Sequence, residues 1–267
     1  MNTKLLATRI RKDVLKMTSN GKSSHVGSAL SIVDIISVLY VRFMKINSNN
    51  CRDTLNTNNF ILSKGHAGAA IYSLLANLNL MSKKKMMSHY TNGSYLSGHV
   101  SHYKNPGIVV STGSLGNGLS IGCGLALSKR QNNIKTKVYV LVSDGEINEG
   151  CFWEAIMFAQ HHKLSNLICL IDKNKYQSIK STKETLDLDP LKNKFKSFNW
   201  DYFEADGHCH KSINQAINKS LINFKPSVIS FNTIKGKGIS FMENQNVWHY
   251  KYCDNDQLKR ALSELDQ

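Results

Sequence analysis

Between residues 5 and 17, Leu5, Leu6, Ile10, Val14 and Met17 interleave with Arg9, Arg11, Lys12 and Lys16 at helical spacing, which predicts an amphipathic helix. Residues 32–43 carry a broad apolar face and residues 67–80 are rich in alanine and leucine, so the N-terminal part of the chain reads as helices. The pattern then changes. Residues 108–111, 137–142, 167–171 and 227–231 are short β-branched or aliphatic runs, of the kind a parallel sheet buries on both faces. Helical periodicity returns at 119–130, 152–164 and 213–223. Strand and helix in alternation predict an α/β fold class: a doubly wound, mostly parallel sheet with helices on both faces and a helical N-terminal layer. With no internal repeat and no Pro/Gly/Ser-rich linker, residues 1–267 read as a single domain.

Composition narrows the function classes. Three prolines and 17 scattered glycines, with 41% hydrophobic residues, exclude a disordered or low-complexity chain. The net charge of +15 is compatible with nucleic acid, an acidic membrane surface or a phosphorylated ligand. The basic run Lys83-Lys84-Lys85 has no accompanying basic-aromatic stripe and reads as a solvated helix end, so no nucleic-acid partner is expected. The longest apolar stretch, 32–44, is interrupted by Asp34, Ser37 and Arg42 and falls short of the roughly 20 residues of a membrane span, so no membrane partner is expected either. Six cysteines without a C-x-x-C pair read as reduced, mostly buried thiols, which favours a cytoplasmic location.

A doubly wound sheet binds ligands beyond the carboxyl ends of its strands, and chemistry-bearing residues stand there. The strand ending at Val142 runs into Ser143-Asp144-Gly145-Glu146-Ile147-Asn148-Glu149-Gly150, and the next ends at Ile171 before Asp172-Lys173-Asn174-Lys175-Tyr176-Gln177. Asp144 and Asn174 lie 30 residues apart, the length of one strand-helix-strand unit, so parallel neighbouring strands would bring both side-chain oxygens to one edge. One carboxylate, one amide oxygen and a loop carbonyl are too few for Ca²⁺ but suit Mg²⁺, which completes its octahedron with water and phosphate. Asp and Asn singly are common turn residues; Glu149 and Glu154 at the same strand-helix junction favour a site.

Gly113-Ser114-Leu115-Gly116-Asn117-Gly118 precedes a helix with Gly122, Gly124 and Ala126 on it. Such a segment either brings backbone N–H groups to a pyrophosphate or packs a helix closely on the sheet. Its glycines do not follow the dinucleotide G-x-G-x-x-G spacing. His25, His66, His99 and His249 adjoin glycine- or serine-rich loops or an aromatic pair, positions suited to proton exchange near neutral pH. His208 and His210 bracket Cys209 without a second cluster, so no zinc site is assigned, and His89, His161 and His162 read as structural.

Taken in order, these segments resemble the N-terminal, thiamine-diphosphate-binding half of transketolase across almost the whole chain. They are the His25 segment, Asn59-Phe60-Ile61-Leu62-Ser63-Lys64-Gly65-His66, Pro106-Gly107 to Gly118, Asp144-Gly145 to Asn174, and Ile234-Lys235-Gly236-Lys237-Gly238 to His249. Asp-Gly…Asn is shared by thiamine-diphosphate enzymes in general, whereas the histidine set and Thr112-Gly113-Ser114-Leu115-Gly116-Asn117-Gly118 belong to the transketolase branch. The resemblance implies that Asp144, Asn174 and the Tyr176 carbonyl hold Mg²⁺, and that His66, Gly113, Ser114, Leu115, Gly145, Glu149 and His249 serve the thiamine diphosphate. It gives His25, His66, His99, His249 and Glu149 catalytic roles, with His99 near the donor hydroxyls and Glu149 a buried member, with Glu154 near it, of a network linking paired cofactors. Ser24-His25-Val26-Gly27 and Ser143-Asp144-Gly145 depart from the family's Gly-His-Pro-Gly and Gly-Asp-Gly but keep the functional side chain.

The implied activity is transfer of a two-carbon ketol unit from a ketose donor to an aldose acceptor. The family's second domain has no counterpart here, so the resemblance implies a separately encoded C-terminal subunit, an α2β2 assembly, and no activity of this chain alone. Competing readings are another thiamine-diphosphate-dependent C–C synthase or lyase in a specialised sugar pathway, a nucleotide-binding oxidoreductase module, and a degenerate binding protein.

Overall fold

The computed structural model describes residues 1–266. Its frame is a five-stranded sheet, β1 (Asn59–Leu62), β2 (Val138–Ser143), β3 (Leu167–Lys173), β4 (Asp201–Asp206) and β5 (Ser227–Asn232), in spatial order β1-β2-β3-β5-β4 with every pairing parallel. Before the sheet's second strand come α1 (Thr3–Asn20), α2 (Val26–Leu30), α3 (Val33–Leu39), α4 (Gly68–Asn77), α5 (Lys83–Met87) and α6 (Asn117–Gln131). After it come α7 (Gly150–His161), α8 (Thr182–Leu186), α9 (Leu191–Ser197), α10 (His210–Leu221) and α11 (Asn255–Glu264).

Period-two alternation in fully buried strands divides the core. Tyr139, Leu141, Ile168, Leu170, Ile229 and Phe231 face the layer built by α1, α3, α4 and α10. Val138, Val140, Val142, Leu167, Cys169 and Ile171 face α6, α7 and α9. Both faces are apolar, which is why the strands read as continuous hydrophobic runs. The strand order departs from chain order after β3, where β5 and not β4 pairs next.

One expected strand does not form, and two strands had no counterpart in the sequence reading. Residues 108–111 form no strand; 108–110 are half-buried and Ser111 is exposed, and the Thr112 N–H reaches the Val100 carbonyl at 3.3 Å. The place beside β2 is taken by β1, whose four residues are too few to display a period. Edge strand β4 was also silent, because a half-exposed edge accepts the acidic Asp201, Glu204 and Asp206. The helical stretch Val26–Met44 is longer than the 32–44 run suggested, 19 residues, and passes for a membrane span by length and composition; 83% of it is buried inside, as befits a core element. Of the six free cysteines only Cys123, Cys169 and Cys253 are buried, half rather than most.

The N-terminal layer is pinned by a buried ion cluster. Arg11 on α1 grips Asp34 on α3 through two nitrogens at 3.1 and 2.5 Å. His208 Nδ1 and His210 Nε2 close on the same carboxylate at 2.8 and 3.0 Å, giving this histidine pair a structural partner.

Candidate active site

At the carboxyl ends of β2 and β3, register pairs Ser143 with Asp172, so the loops that follow leave the sheet side by side. Asp144 Oδ2 accepts the Lys175 N–H at 2.6 Å, and Oδ1 accepts the Gly145 N–H at 2.9 Å, which locks the Asp144 loop to the Asn174 loop. Asn174 is held through its amide: Nδ2 donates to Asp172 Oδ2 at 3.0 Å, while Oδ1 accepts the Tyr176 N–H at 3.0 Å. Asp144 is 5% exposed and meets no cationic side chain within ion-pair distance. Burial first, and then the neighbouring Asp172 charge, push its carboxyl up to about 7.

Four imidazoles stand over this corner. His25 occupies a left-handed position (φ 74°) before α2, His66 sits in the turn after β1, His99 in the loop before Val100, and His249 in the turn Asn246–His249. The His25 ring centroid lies 4.9 Å from His249, 5.2 Å from His66 and 5.5 Å from His99. Backbone bonds fix the set: His25 N–H to the His249 carbonyl at 2.8 Å, and Val100 N–H to the Gly65 carbonyl at 2.8 Å. Burial, reinforced by neighbouring histidines, Lys64 and Lys235, lowers His25 to about 4 and His249 to about 3, and drives His66 well below its ordinary value. These three rings are therefore neutral at neutral pH and free to donate or accept a proton.

The histidines, Gly113, Leu115, Gly145, Glu149, Asn174 and Tyr176 line one cleft of about 250 Å³. Ser114 is exposed beside it, with Oγ accepting from Asn117 Nδ2 at 3.0 Å. Glu149 is exposed on the rim rather than buried, and Glu154 is exposed on α7. The buried acid is Glu146, to which the sequence pattern gave no pointer. Its Oε1 accepts from Gly116 N–H at 2.8 Å and from the Ser63 hydroxyl, and its Oε2 from Ser143 N–H at 3.2 Å. The N-cap amide of α6, Gly116 N–H, thus already serves a carboxylate of the chain. The close-packing alternative also holds in part: a Cβ on Gly122 would lie 2.5 Å from Val140.

Two buried cations also went unmarked by the sequence pattern. Lys64, 0% exposed, pairs with Asp172 Oδ2 at 2.5 Å, and Asp172 also accepts from Ser31 at 2.7 Å and from the Thr233 hydroxyl. Lys235 is 1% exposed and is lowered to about 8, chiefly by burial. They lie in Ser63-Lys64-Gly65-His66 and Ile234-Lys235-Gly236; a lysine followed by glycine within three residues of a strand end was the available signal.

The profile of the family described as "Transketolase, thiamine diphosphate binding domain" matches residues 2–265. This chain belongs to that family. It is 37% identical over 262 residues to an apulose-4-phosphate transketolase subunit of Actinobacillus succinogenes, covering 97% of this chain and 94% of that one. It is 36% identical over 266 residues to the 6-deoxy-6-sulfo-D-fructose transketolase subunit SqwG of a Clostridium species, covering 98% and 95%. The transketolase structure of Campylobacter jejuni superposes with a TM-score of 0.90 at 29% identity, covering 100% of this chain and 43% of that one. Human transketolase is 30% identical over 260 residues, covering 97% of this chain but only 41% of its own length. The chain therefore spans about two-fifths of human transketolase and nearly all of the relative from Actinobacillus succinogenes.

The donor set fits the group this family is named for. Among the described residues no three His, Cys, Asp or Glu side chains gather as a metal site. Buried Asp144 and Asn174 Oδ1, in adjoining loops, are hard oxygen donors of the kind Mg²⁺ takes.

Proposed function

We propose that this chain is the cofactor-binding subunit of a two-chain transketolase, transferring a two-carbon ketol unit from a ketose or ketose phosphate to an aldose. The observation that carries the reading is the meeting, in one cleft, of four imidazoles with Gly145, Asn174 and Tyr176, while Asp144 lies buried behind that lining and is tied to the Asn174 loop through the Lys175 N–H. Asp144, Asn174 Oδ1 and the Tyr176 carbonyl would hold Mg²⁺, and Gly113, Ser114, Leu115, Gly145 and His66 would border the thiamine diphosphate. When bound, thiamine diphosphate supplies the electron sink that breaking a C–C bond beside a carbonyl requires.

The protein's own part is binding, orientation and proton traffic. His25 and His249, whose rings meet edge to face at 4.9 Å, would hydrogen-bond a substrate carbonyl oxygen as it gains negative charge, and the exposed His99 would meet the donor hydroxyls. Neutral imidazoles there hydrogen-bond a forming alkoxide without the desolvation cost of a buried cation. Placing Glu149 on the rim fits a residue that is covered only in an assembly. Ile121 on α6 and Met157 and Phe158 on α7, the helix that follows Glu149, are exposed as well, and a Cβ on Gly124 or Gly150 would meet nothing within 4 Å. This face supports pairing of two copies, hence α2β2 with a separately encoded C-terminal subunit that supplies the missing half. A cytoplasmic setting accords with the free thiols.

The test is reconstitution. The purified chain with Mg²⁺ and thiamine diphosphate is expected to give no ketol transfer, and activity is expected to appear on adding the C-terminal subunit. Turnover by the chain alone, or none with the partner on any ketose tried, contradicts the reading. No observation favours the oxidoreductase alternative over this one.

A further inference from the structure

Lys235 lies in the strap after β5, buried to 1% exposure, and the strap is pinned on both sides of it. Gly236 N–H donates to the Gly27 carbonyl at 2.9 Å, and Asn244 N–H to the Lys235 carbonyl at 2.9 Å. A Cβ on Gly236 would lie 2.4 Å from the Met242 carbonyl oxygen, and its φ of 79° is one that glycine adopts freely. The side chain therefore leaves a fixed backbone.

An ammonium carries three N–H donors and no acceptor. Three acceptors surround this one: the Gln177 carbonyl at 3.0 Å, Asn246 Oδ1 at 2.7 Å and His249 Nδ1 at 3.1 Å. The Asn246 amide is turned the required way, since its Nδ2 donates to the Ser178 carbonyl at 3.1 Å. Every donor of Lys235 is engaged, and His249 Nδ1 receives one of them. A neutral imidazole that accepts at Nδ1 carries its proton on Nε2. We propose that Lys235 is a positioning residue that fixes His249 in the Nε2–H form, so that His249 meets the cleft as a hydrogen-bond donor and not as a base.

His25 is held differently. Its Nδ1 lies 2.9 Å from the Ser24 hydroxyl, which donates or accepts by rotation, so neither tautomer of His25 is imposed. The two rings in contact thus divide the work: His249 steadies an oxygen, and His25 exchanges the proton. This division rests on the ketol-transfer reading; the tautomer itself does not.

The experiment is long-range proton–nitrogen NMR on the full chain with labelled imidazoles at neutral pH, without cofactor or partner, the His249 signals being identified by their loss in His249→Gln. In the wild type the Nε2–H form is expected to exceed the other by about tenfold or more, the bias that one charge-assisted hydrogen bond gives. Lys235→Met is expected to bring the Nδ1–H form up to a comparable population, because Nδ1 no longer receives a donor, and Lys235→Arg is expected to keep the wild-type ratio. A wild-type mixture of both forms, or an unchanged ratio in a folded Lys235→Met, overturns the proposal; if that variant does not fold, the wild-type ratio and Lys235→Arg decide it. Thiamine diphosphate binding by the wild type, measured separately with the partner, fails or succeeds independently and so separates this inference from the functional reading.

Discussion

Asp144 and Asp172 sit at the ends of neighbouring strands, both buried, and differ in what surrounds them. Asp172 receives Lys64 at 2.5 Å, Ser31 at 2.7 Å, Asn174 Nδ2 at 3.0 Å and the Thr233 hydroxyl, and these partners hold its carboxyl below the ordinary range despite burial. Asp144 receives two backbone N–H groups and no cation, and burial raises it. The same side chain in nearly the same place is a completed structural joint in one case and, on the proposed reading, would be a metal ligand in the other. A buried carboxyl without an ion-pair partner holds its proton more tightly, and a bound cation would reverse that shift.

Breaking the completed joint has the largest expected effect. Lys64→Met leaves Asp172 charged, buried and unpaired, and is expected to cost about 3–5 kcal/mol in denaturant unfolding. A loss below about 1 kcal/mol would mean that Asp172 does not depend on Lys64. Removing the unpaired carboxylate acts on the ligand instead: Asp144→Asn is expected to weaken Mg²⁺-dependent thiamine diphosphate binding by about tenfold or more, the scale of a lost metal contact. The pH sign follows from its raised value. Unfolded Asp144 releases its proton near 3.8 and the folded group near 7, so its contribution to stability falls as pH rises through that window. The melting temperature of Asp144→Asn should therefore gain on the wild type between those limits, and a constant gap would show that Asp144 is not desolvated.

The histidines run the other way. Unfolded His25 takes a proton below about 6.5 and the folded one only below about 4, so stability falls as pH drops between the two values. Relative to His25→Gln the wild type should lose on the order of 2 kcal/mol over that interval, after discounting for the ring's partial exposure. Parallel pH profiles in thermal melts would contradict this. The smallest effect on folding is expected at the exposed face: Met157→Ser combined with Phe158→Ser should change stability by no more than about 0.5 kcal/mol while weakening self-association in sedimentation. Unaltered association would place the copy interface elsewhere.

Sequence patterning disclosed β2, β3 and β5 because strands covered on both faces are nearly all apolar. It overlooked β1 for its brevity and β4 for its acidic edge, and it took 108–111 as a strand because an apolar run does not reveal whether a neighbour is there to pair with. The convergence of Asp144 with Asn174 was legible because one strand-helix-strand unit fixes it. Lys64, Glu146 and Lys235 were not. A charged residue carries no mark of burial until its partners, which come from distant elements such as Ser31, Ser63 and Gln177, are brought to it by the fold.

Anomalous scattering from Mn²⁺, a hard cation that takes the same oxygen ligands as Mg²⁺, addresses the Asp144 carboxylate directly. In crystals of the assembled subunits grown with Mn²⁺ and thiamine diphosphate, one strong peak is expected within bonding distance of Asp144, Asn174 Oδ1 and the Tyr176 carbonyl, and absent in Asp144→Asn. A peak that avoids Asp144, or that persists unchanged in the variant, would contradict the account.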